Sequence, residues 1–254
     1  MKIHLIKTTL IVFCVAVFAS TRVQGQQFSS DSYISKPHGM ATVIMTAGER
    51  NIMTMTTFSL FPKWEFTFAA YIYRNDKNSL TDDGYSTSLY AKYMFYENEA
   101  KTGGFAVKAG RGLDPGYLDG EQKVKDASKT YWMNAPVTIP FFGYKLSWDI
   151  MPGVSVTERY EGESSSAWAF TYTTRLAYYP FNPKLAVVGE LFGSEGEVYS
   201  LPEYRAGLRW EPSQYANIAF TYGSKFNGSR GAGFEIGIMI FTPPFACIGK
   251  CKPR

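Results

Sequence analysis

The sequence is poor in the residues on which metalloenzymes and disulfide-rich proteins depend. Its 254 residues include three cysteines and two histidines, and 19% of them are charged, against about a quarter in an average globular protein. Two cysteines remain once the N-terminal segment discussed below is set aside, too few for a disulfide scaffold. No run beyond that segment reaches the roughly 18 apolar residues of a membrane-spanning helix. The sequence therefore argues against a helical membrane protein and a disulfide-stabilised fold.

Aromatic residues, in contrast, are abundant. They make up 17% of the chain, with 18 tyrosines and 19 phenylalanines. Disorder requires low hydrophobicity and high net charge, so this composition excludes it. Leucine and alanine are not the dominant apolar residues, which argues against a helical bundle. We expect one all-β domain, since barrels of this length are common.

Residues 1–25 have the pattern of a cleaved signal peptide. A basic start at Lys2 and Lys7 precedes an apolar stretch from Leu10 to Ala19, which is too short for a membrane anchor. Cleavage after Gly25 would remove three bases and no acid, so the formal charge of +4 falls to +1. The mature chain is then almost neutral, and we expect no nucleic-acid partner.

The polar C-terminal tail, residues 243–254, holds the two remaining cysteines. Cys247 and Cys251 are close enough in sequence for a local disulfide in an oxidising compartment. A metal site is the alternative, but no histidine lies nearby. We predict no metal and no cofactor.

From residue 39 onward, apolar and polar side chains alternate with period two. Trp64, Phe66 and Phe68 share one face of a segment whose other face carries Glu65 and Thr67. Such alternation predicts strands with one apolar and one polar face. We count about twelve segments: 39–47, 51–60, 63–74, 84–96, 103–111, 130–140, 144–157, 166–179, 184–192, 202–211, 214–223 and 232–242. Prolines at 136, 140 and 152 interrupt two of them, so ten strands is the alternative.

Short and long connections alternate between these segments. Short ones contain Pro62, Pro180–Pro183 and Pro212, and the longer ones are 75–83, 112–129, 159–165, 193–201 and 224–231. Outer-membrane barrels have tight periplasmic turns and long outer loops, whereas a soluble β-sandwich is under no such constraint. Aromatic residues near strand ends fit two interfacial girdles; they are Trp64, Tyr85, Phe95, Trp168, Tyr178, Tyr204 and Trp210. We therefore predict a single antiparallel transmembrane β-barrel over residues 39–242, in contact with outer-membrane lipid.

The polar faces would line the lumen of this barrel. They carry four acids and five bases, namely Glu65, Lys92, Lys108, Asp149, Arg175, Glu190, Arg205, Arg209 and Glu235. Because the signs nearly balance, ion pairs that brace the wall and a polar constriction that orients a solute both fit the pattern. The inward tyrosines would either flank an aromatic solute or fill volume; they include Tyr71, Tyr90, Tyr96 and Tyr179.

Two further features bear on the lumen. Twelve strands lie between the packed eight-stranded barrels and the open channels of 16–18 strands, so a narrow passage is expected. The polar N-terminal segment, residues 26–38, fits equally well as a plug in the lumen and as a free periplasmic segment.

His38 is the one histidine of the mature chain, and its position before the first strand does not suit a catalytic base. We predict no enzymatic activity and no catalytic residue.

Three stretches near the C-terminus resemble the transporter-like outer-membrane barrels of the meta-pathway phenol-degradation family. They are residues 185–193, ending in Gly189-Glu190-Leu191-Phe192-Gly193, residues 202–210, with Gly207-Leu208-Arg209-Trp210, and residues 219–223, with Tyr222-Gly223. The resemblance covers about sixty residues clearly. It implies uptake of small hydrophobic or aromatic compounds, and Glu190, Arg205 and Arg209 match its recurrent positions. Such barrels usually end on an aromatic residue, but here 243–254 follow the last strand, leaving Phe241 and Phe245 as candidate assembly signals.

Together these features predict a porin-like barrel in the outer membrane of a Gram-negative cell. We expect passive uptake or binding of small hydrophobic or aromatic solutes through a narrow lumen. The alternative is a structural or surface-interaction barrel that does not transport and that uses its long outer loops to contact a partner.

Overall fold

The computed structural model describes residues 31–73, 84–114, 117–119, 122–125, 128–158, 166–228 and 230–245. The predicted signal peptide, Cys247 and Cys251 lie outside these residues. The chain is all β, and its main sheet consists of twelve barrel strands: β1 (Met40–Gly48), β2 (Asn51–Phe61), β3 (Trp64–Tyr73), β4 (Gly84–Glu97), β5 (Gly104–Asp114), β6 in two pieces (Ser128–Asn134 and Val137–Phe141), β7 (Leu146–Glu158), β8 (Ser166–Asn182), β9 (Leu185–Gly196), β10 (Ser200–Ser213), β11 (Ala216–Lys225) and β12 (Arg230–Phe241).

The sheet closes on itself. Each strand pairs antiparallel with its neighbours in sequence, and β12 pairs with β1 from Thr42 opposite Phe241 to Gly48 opposite Glu235. Backbone groups within a membrane need internal hydrogen-bond partners, and closure gives every barrel strand a partner on both sides. The prediction of a twelve-stranded antiparallel barrel is confirmed, and the alternative of ten strands is wrong.

The prolines of β6 and β7 interrupt the ladder without breaking it. Pro136 separates the two pieces of β6, but its carbonyl accepts a hydrogen bond of 2.9 Å from the Ala106 amide. The Ala135 amide donates in turn to the carbonyl of Pro152, also at 2.9 Å. Carbonyl groups that prolines retain therefore carry the pairing where their missing amides cannot.

Apolar and ionic side chains separate onto opposite faces of the wall. Phe68, Ile72 and Leu89 are between 52% and 57% exposed on the outside, whereas Glu65 and Thr67 are buried inside. A charge on the lipid face of a barrel costs about 2–4 kcal/mol at the bilayer midplane, which explains this sorting. Within the described part of the chain, no helix has the length and apolar character needed to cross a membrane.

Both described ends of the chain lie at the barrel end where the connections are short. Those connections are 62–63, 98–103, 142–145, 183–184 and 214–215. The described strand ends Tyr73, Gly84, Glu158 and Ser166 lie at the opposite end. The predicted long loops 193–201 and 224–231 are wrong. Strand β9 continues to Gly196 and β10 begins at Ser200, and the last hairpin is similarly extended, so each connection has three or four residues.

One tyrosine departs from simple alternation, and two phenylalanines near the C-terminus differ in exposure. Tyr96 was predicted to face inward, but the pairing of β4 with β5 shifts register between Met94 and Tyr96, and Tyr96 is 61% exposed. Phe241 is buried beneath the ammonium of Lys36, whereas Phe245 is exposed. Of the two candidate assembly signals, Phe245 is the one on the surface.

Candidate functional site

The N-terminal residues from Asp31 to Lys36 enter the barrel and form a plug, and Pro37 is exposed at its rim. Asp31, Ser32, Tyr33 and Lys36 are each at most 8% exposed. The Tyr33 amide donates to the Thr138 hydroxyl of β6 at 3.3 Å, and the Tyr33 ring lies where a Cβ on Gly104 of β5 would stand. The described part of the segment thus occupies the lumen near the end with the short turns.

Asp31 joins the plug to two wall lysines. Its Oδ1 lies 3.3 Å from Lys92 Nζ and its Oδ2 3.6 Å from Lys108 Nζ. Lys92 also pairs with Glu65 at 2.7 Å and donates to the carbonyl of Ile34 at 2.7 Å. These four side chains are at most 6% exposed, so their charges interact strongly where water is scarce.

The plug is held by backbone groups as well. The Lys36 amide donates to Glu65 Oε1 at 2.7 Å, and the Lys36 ammonium lies 4.5 Å from the centre of the Phe241 ring.

Burial lowers the pKa of the Lys36 ammonium to about 7, although the Glu65 carboxylate favours the charged form. Burial raises the pKa of the Asp31 carboxyl, but Lys92 and Lys108 outweigh it and hold that pKa below its usual value.

An aromatic pair lies beside the lysines. The rings of Tyr90 (β4) and Trp132 (β6) have centroids 5.0 Å apart, and Lys108 Nζ lies 5.5 Å from the first and 5.7 Å from the second. The Tyr90 hydroxyl donates to Met55 Sδ at 3.3 Å. The pair continues into an apolar patch on the lumen wall, formed by Met40, Ile44, Met55, Ala69, Tyr90, Met239 and Phe241.

A second group of charges braces β6, β7 and β8. Arg175 donates to Asp149 Oδ2 through Nε at 2.9 Å and through Nη2 at 2.6 Å. The other oxygen of Asp149 accepts a hydrogen bond of 2.5 Å from the Thr138 hydroxyl. Both charged side chains are 1% exposed, so this pair is fully enclosed by the barrel.

The third group lies on β8 to β12. Arg209 pairs with Glu211 at 3.0 Å and donates to the Tyr179 hydroxyl, which itself donates to Glu211 at 2.6 Å. Arg205 pairs with Glu235 at 3.1 Å and approaches Glu190 at 3.7 Å, and its guanidinium lies over the Phe192 ring. Cross-strand ion pairs thus continue around the wall.

The nine charged residues predicted to line the lumen all face inward. Tyr90 is buried among them, and Tyr71 packs against the apolar patch. Their contact with a solute stays a prediction. Sequence reasoning missed Asp31, Lys36, Trp132 and Glu211. Glu211 was missed because the sequence predicted a turn at this position, whereas β10 extends to Ser213. Among the described residues, no three His, Cys, Asp or Glu side chains are grouped to hold a metal ion.

Comparison with known proteins relates the chain to solved structures alone, since neither a protein-family model nor a curated protein matches it. It is similar to the KdgM porin in complex with disordered oligogalacturonate, with a TM-score of 0.52 and 12% identity over 79% of this chain and 98% of that one. It is also similar to the COG4313 outer membrane channel from Pseudomonas putida F1, with a TM-score of 0.53 and 13% identity over 87% and 99%. The chain therefore has the barrel fold of outer-membrane channels.

Proposed function

We propose that this protein is a passive outer-membrane channel, which takes up a small hydrophobic or aromatic solute through a narrow lumen. The observation that carries the proposal is the sorting of side chains across a closed wall. Apolar rows face outward, where lipid would solvate them, and ion pairs face inward. A soluble protein would not leave Phe68, Leu89 and Phe220 each more than half exposed on one surface.

The interior supports the class of solute. Ligand sites are mostly apolar with a few placed polar groups, and the lumen combines both. The apolar patch around Tyr90 and Met55 adjoins the ammonium groups of Lys92 and Lys108. A purely aqueous pore would need no such patch, whereas a solute with an apolar body would contact it.

The alternative, a surface-interaction barrel that does not transport, draws on a different observation. The plug occupies the lumen between Glu65, Lys92 and Thr138. A permanently docked plug would prevent passage, and the loops at the far end would then carry the function. Solute flux distinguishes the two.

The test is flux into proteoliposomes that contain the mature chain. Phenylalanine and a trisaccharide are suitable probes because neither crosses lipid readily, and they differ in size and in aromatic character. Under the proposal, phenylalanine enters faster than a trisaccharide, and faster than into protein-free vesicles. Flux equal to that of protein-free vesicles for every probe would reject the channel and favour the surface role.

Two adjacent residues supply a matched pair of variants. Ser88 faces the lumen, and Leu89 faces outward with 57% exposure. Ser88→Trp narrows the passage and is expected to reduce phenylalanine flux severalfold. Leu89→Trp adds similar bulk on the outer surface and is expected to leave flux unchanged. If both variants reduce flux equally, the passage does not follow the barrel axis.

The proposal includes the location. Cleavage of residues 1–25 and insertion into the outer membrane would place the short turns in the periplasm and the longer loops outside the cell. Membrane fractionation, with N-terminal sequencing of the mature protein, tests both points. A mature product in the soluble fraction without detergent would contradict them.

A further inference from the structure

The plug supplies a carboxylate to a pair of basic groups that belong to the wall. Lys92 and Lys108 oppose each other on β4 and β5. The adjacent strand β3 contributes Glu65, which pairs with Lys92 at 2.7 Å. Asp31 contacts both lysines from the lumen side, at 3.3 and 3.6 Å. The strands therefore contribute two positive charges, Lys92 and Lys108, and one negative charge, Glu65. A second negative charge inside the lumen, here that of Asp31, makes the group neutral.

The surroundings of that anion are aromatic. Lys108 Nζ is within 6 Å of the ring centres of Tyr90 and Trp132, a distance at which cation and ring attract each other. The two rings are tilted by 59° with centroids 5.0 Å apart. Asp31, Tyr90 and Lys92 also line one cavity, together with Ile44 and Thr67. A group that follows the carboxylate into this cavity would meet the Tyr90 ring and the methyl groups of Ile44 and Thr67, and the Trp132 ring lies behind Tyr90.

We infer that Lys92, Lys108, Tyr90 and Trp132 form a binding site for a solute that carries a carboxylate on an aromatic body, and that the Asp31 carboxylate occupies this site when the plug is docked. The inference rests on the proposed channel function and specifies its substrate class. Benzoate is the simplest probe with this chemistry.

Electrostatics explains why one carboxylate would replace another. Without Asp31, the Glu65 carboxylate beside Lys92 would be the remaining anion of this group for two buried ammonium groups. A buried charge without a partner is costly, so withdrawal of the Asp31 carboxylate favours its replacement by another anion. An incoming carboxylate restores the same charge and accepts the same hydrogen bonds from Lys92. It would also bring a ring to Tyr90 and Trp132, which the aspartate side chain cannot do. Solute entry and release of the Asp31 contact are thereby coupled.

Binding is measured by calorimetry on the full mature chain in detergent micelles, with sodium benzoate, sodium acetate and benzyl alcohol as probes. Asp31→Ala removes the internal competitor and vacates its space. We expect benzoate to bind this variant at least tenfold more tightly than it binds the wild type, and more tightly than acetate. Benzyl alcohol, which lacks the charge, should bind both proteins alike.

Two second-site changes identify the site. Asp31→Ala combined with Lys108→Gln is expected to lose the gain in benzoate affinity, and Glu65 keeps its partner Lys92 in that protein. Asp31→Ala combined with Arg111→Gln is the matched control, because Arg111 is an exposed base on the same strand. Equal benzoate affinity in the wild type and Asp31→Ala, or equal losses with Lys108→Gln and Arg111→Gln, would overturn the inference. Equal binding of benzoate and acetate would overturn its aromatic part.

If Asp31→Ala does not fold, Asp31→Asn keeps the shape of the side chain without its charge. Benzoate should then raise the unfolding temperature of Asp31→Asn more than that of the wild type, and an equal rise would overturn the site. The outcomes also separate the two proposals. Benzoate binding without flux of any probe would reject the channel and keep the binding site. Flux without charge-dependent benzoate binding would keep the channel and reject the binding site.

Discussion

Arg175 directs two of its nitrogens at a single oxygen of Asp149, at 2.9 and 2.6 Å, while Thr138 donates to the other oxygen. The aspartate thereby joins β6, β7 and β8 inside the lumen. At 1% exposure neither charge has water as an alternative partner. This arrangement braces the wall, which is one of the two roles that the balanced lumen charges suggested.

Loss of one partner from this pair should be costly. Removing one member of a buried ion pair destabilises a protein by about 3–5 kcal/mol, because the other charge stays buried. We expect that loss for Arg175→Met, measured by urea unfolding of the protein in phospholipid vesicles. Arg111→Met, on the exposed face of β5, should change stability by less than about 0.5 kcal/mol. The double variant Asp149→Asn with Arg175→Met should lose less than the sum of the single variants; an additive loss would show that the pair is not coupled.

Gly153 marks a close contact between β6 and β7. A Cβ at this position would collide with Asn134 Nδ2 and would lie 2.7 Å from the Met133 carbonyl oxygen. Gly153→Ala would displace Asn134, whose amide donates to the Thr171 hydroxyl at 3.2 Å. We expect a loss of about 1–3 kcal/mol from this overpacking, in the same unfolding assay. Gly189→Ala is the control because no atom lies within 4 Å of its Cβ. Equal stabilities of the two variants would contradict the close approach.

The Lys36 ammonium predicts a pH dependence of stability. Burial lowers its pKa in the folded protein to about 7, against about 10.4 for a free lysine. Between these values the unfolded chain holds a proton that the folded chain has released, so stability should rise with pH by up to about 1.4 kcal/mol per unit. Lys36→Met removes this contribution. Urea unfolding at pH 7, 8 and 9 should therefore show a steeper rise for the wild type than for Lys36→Met, and parallel profiles would refute the lowered pKa.

Glu190 should influence ion selectivity. It has no exposed side-chain surface and lies between Arg175 and Arg205 in the registers of β8, β9 and β10. Glu190→Gln removes one negative charge from the lumen, so the permeability ratio should shift toward anions, as measured by the reversal potential in a KCl gradient. Phe170→Leu, on the outer face of β8, should leave the ratio unchanged. A shift of similar size in both variants would mean that the assignment of faces is wrong.

The strands could be predicted from sequence because a barrel wall imposes a strict period of two. The segment predicted at 63–74 is Trp64–Tyr73 in the structure, and its inward residue Glu65 is 5% exposed. A shift of the strand pairing by one residue would turn the charged side chains toward lipid and the apolar side chains toward the lumen, so the register is strongly specified. Loop lengths at the end opposite the short turns were less predictable, because β9 and β10 continue beyond the segments in which apolar and polar residues alternate.

The plug could not be located from sequence for a related reason. Asp31 to His38 has no periodic pattern, and its partners Lys92 and Lys108 are far away in the chain. A polar segment before the first strand satisfies its backbone equally well in water. The feature that locates the plug is the excess positive charge of Lys92 and Lys108 over Glu65. It becomes visible only when β3, β4 and β5 are aligned side by side.

The two ends of the chain meet along the junction between β1 and β12. Lys36 packs on Phe241, and the Phe245 amide donates to the Gly39 carbonyl at 2.7 Å. Both contacts depend on the pairing of β12 with β1. Closure of the barrel and enclosure of the Lys36 side chain are therefore linked. A chain truncated before Phe241 would keep an open, adhesive edge and an unenclosed Lys36.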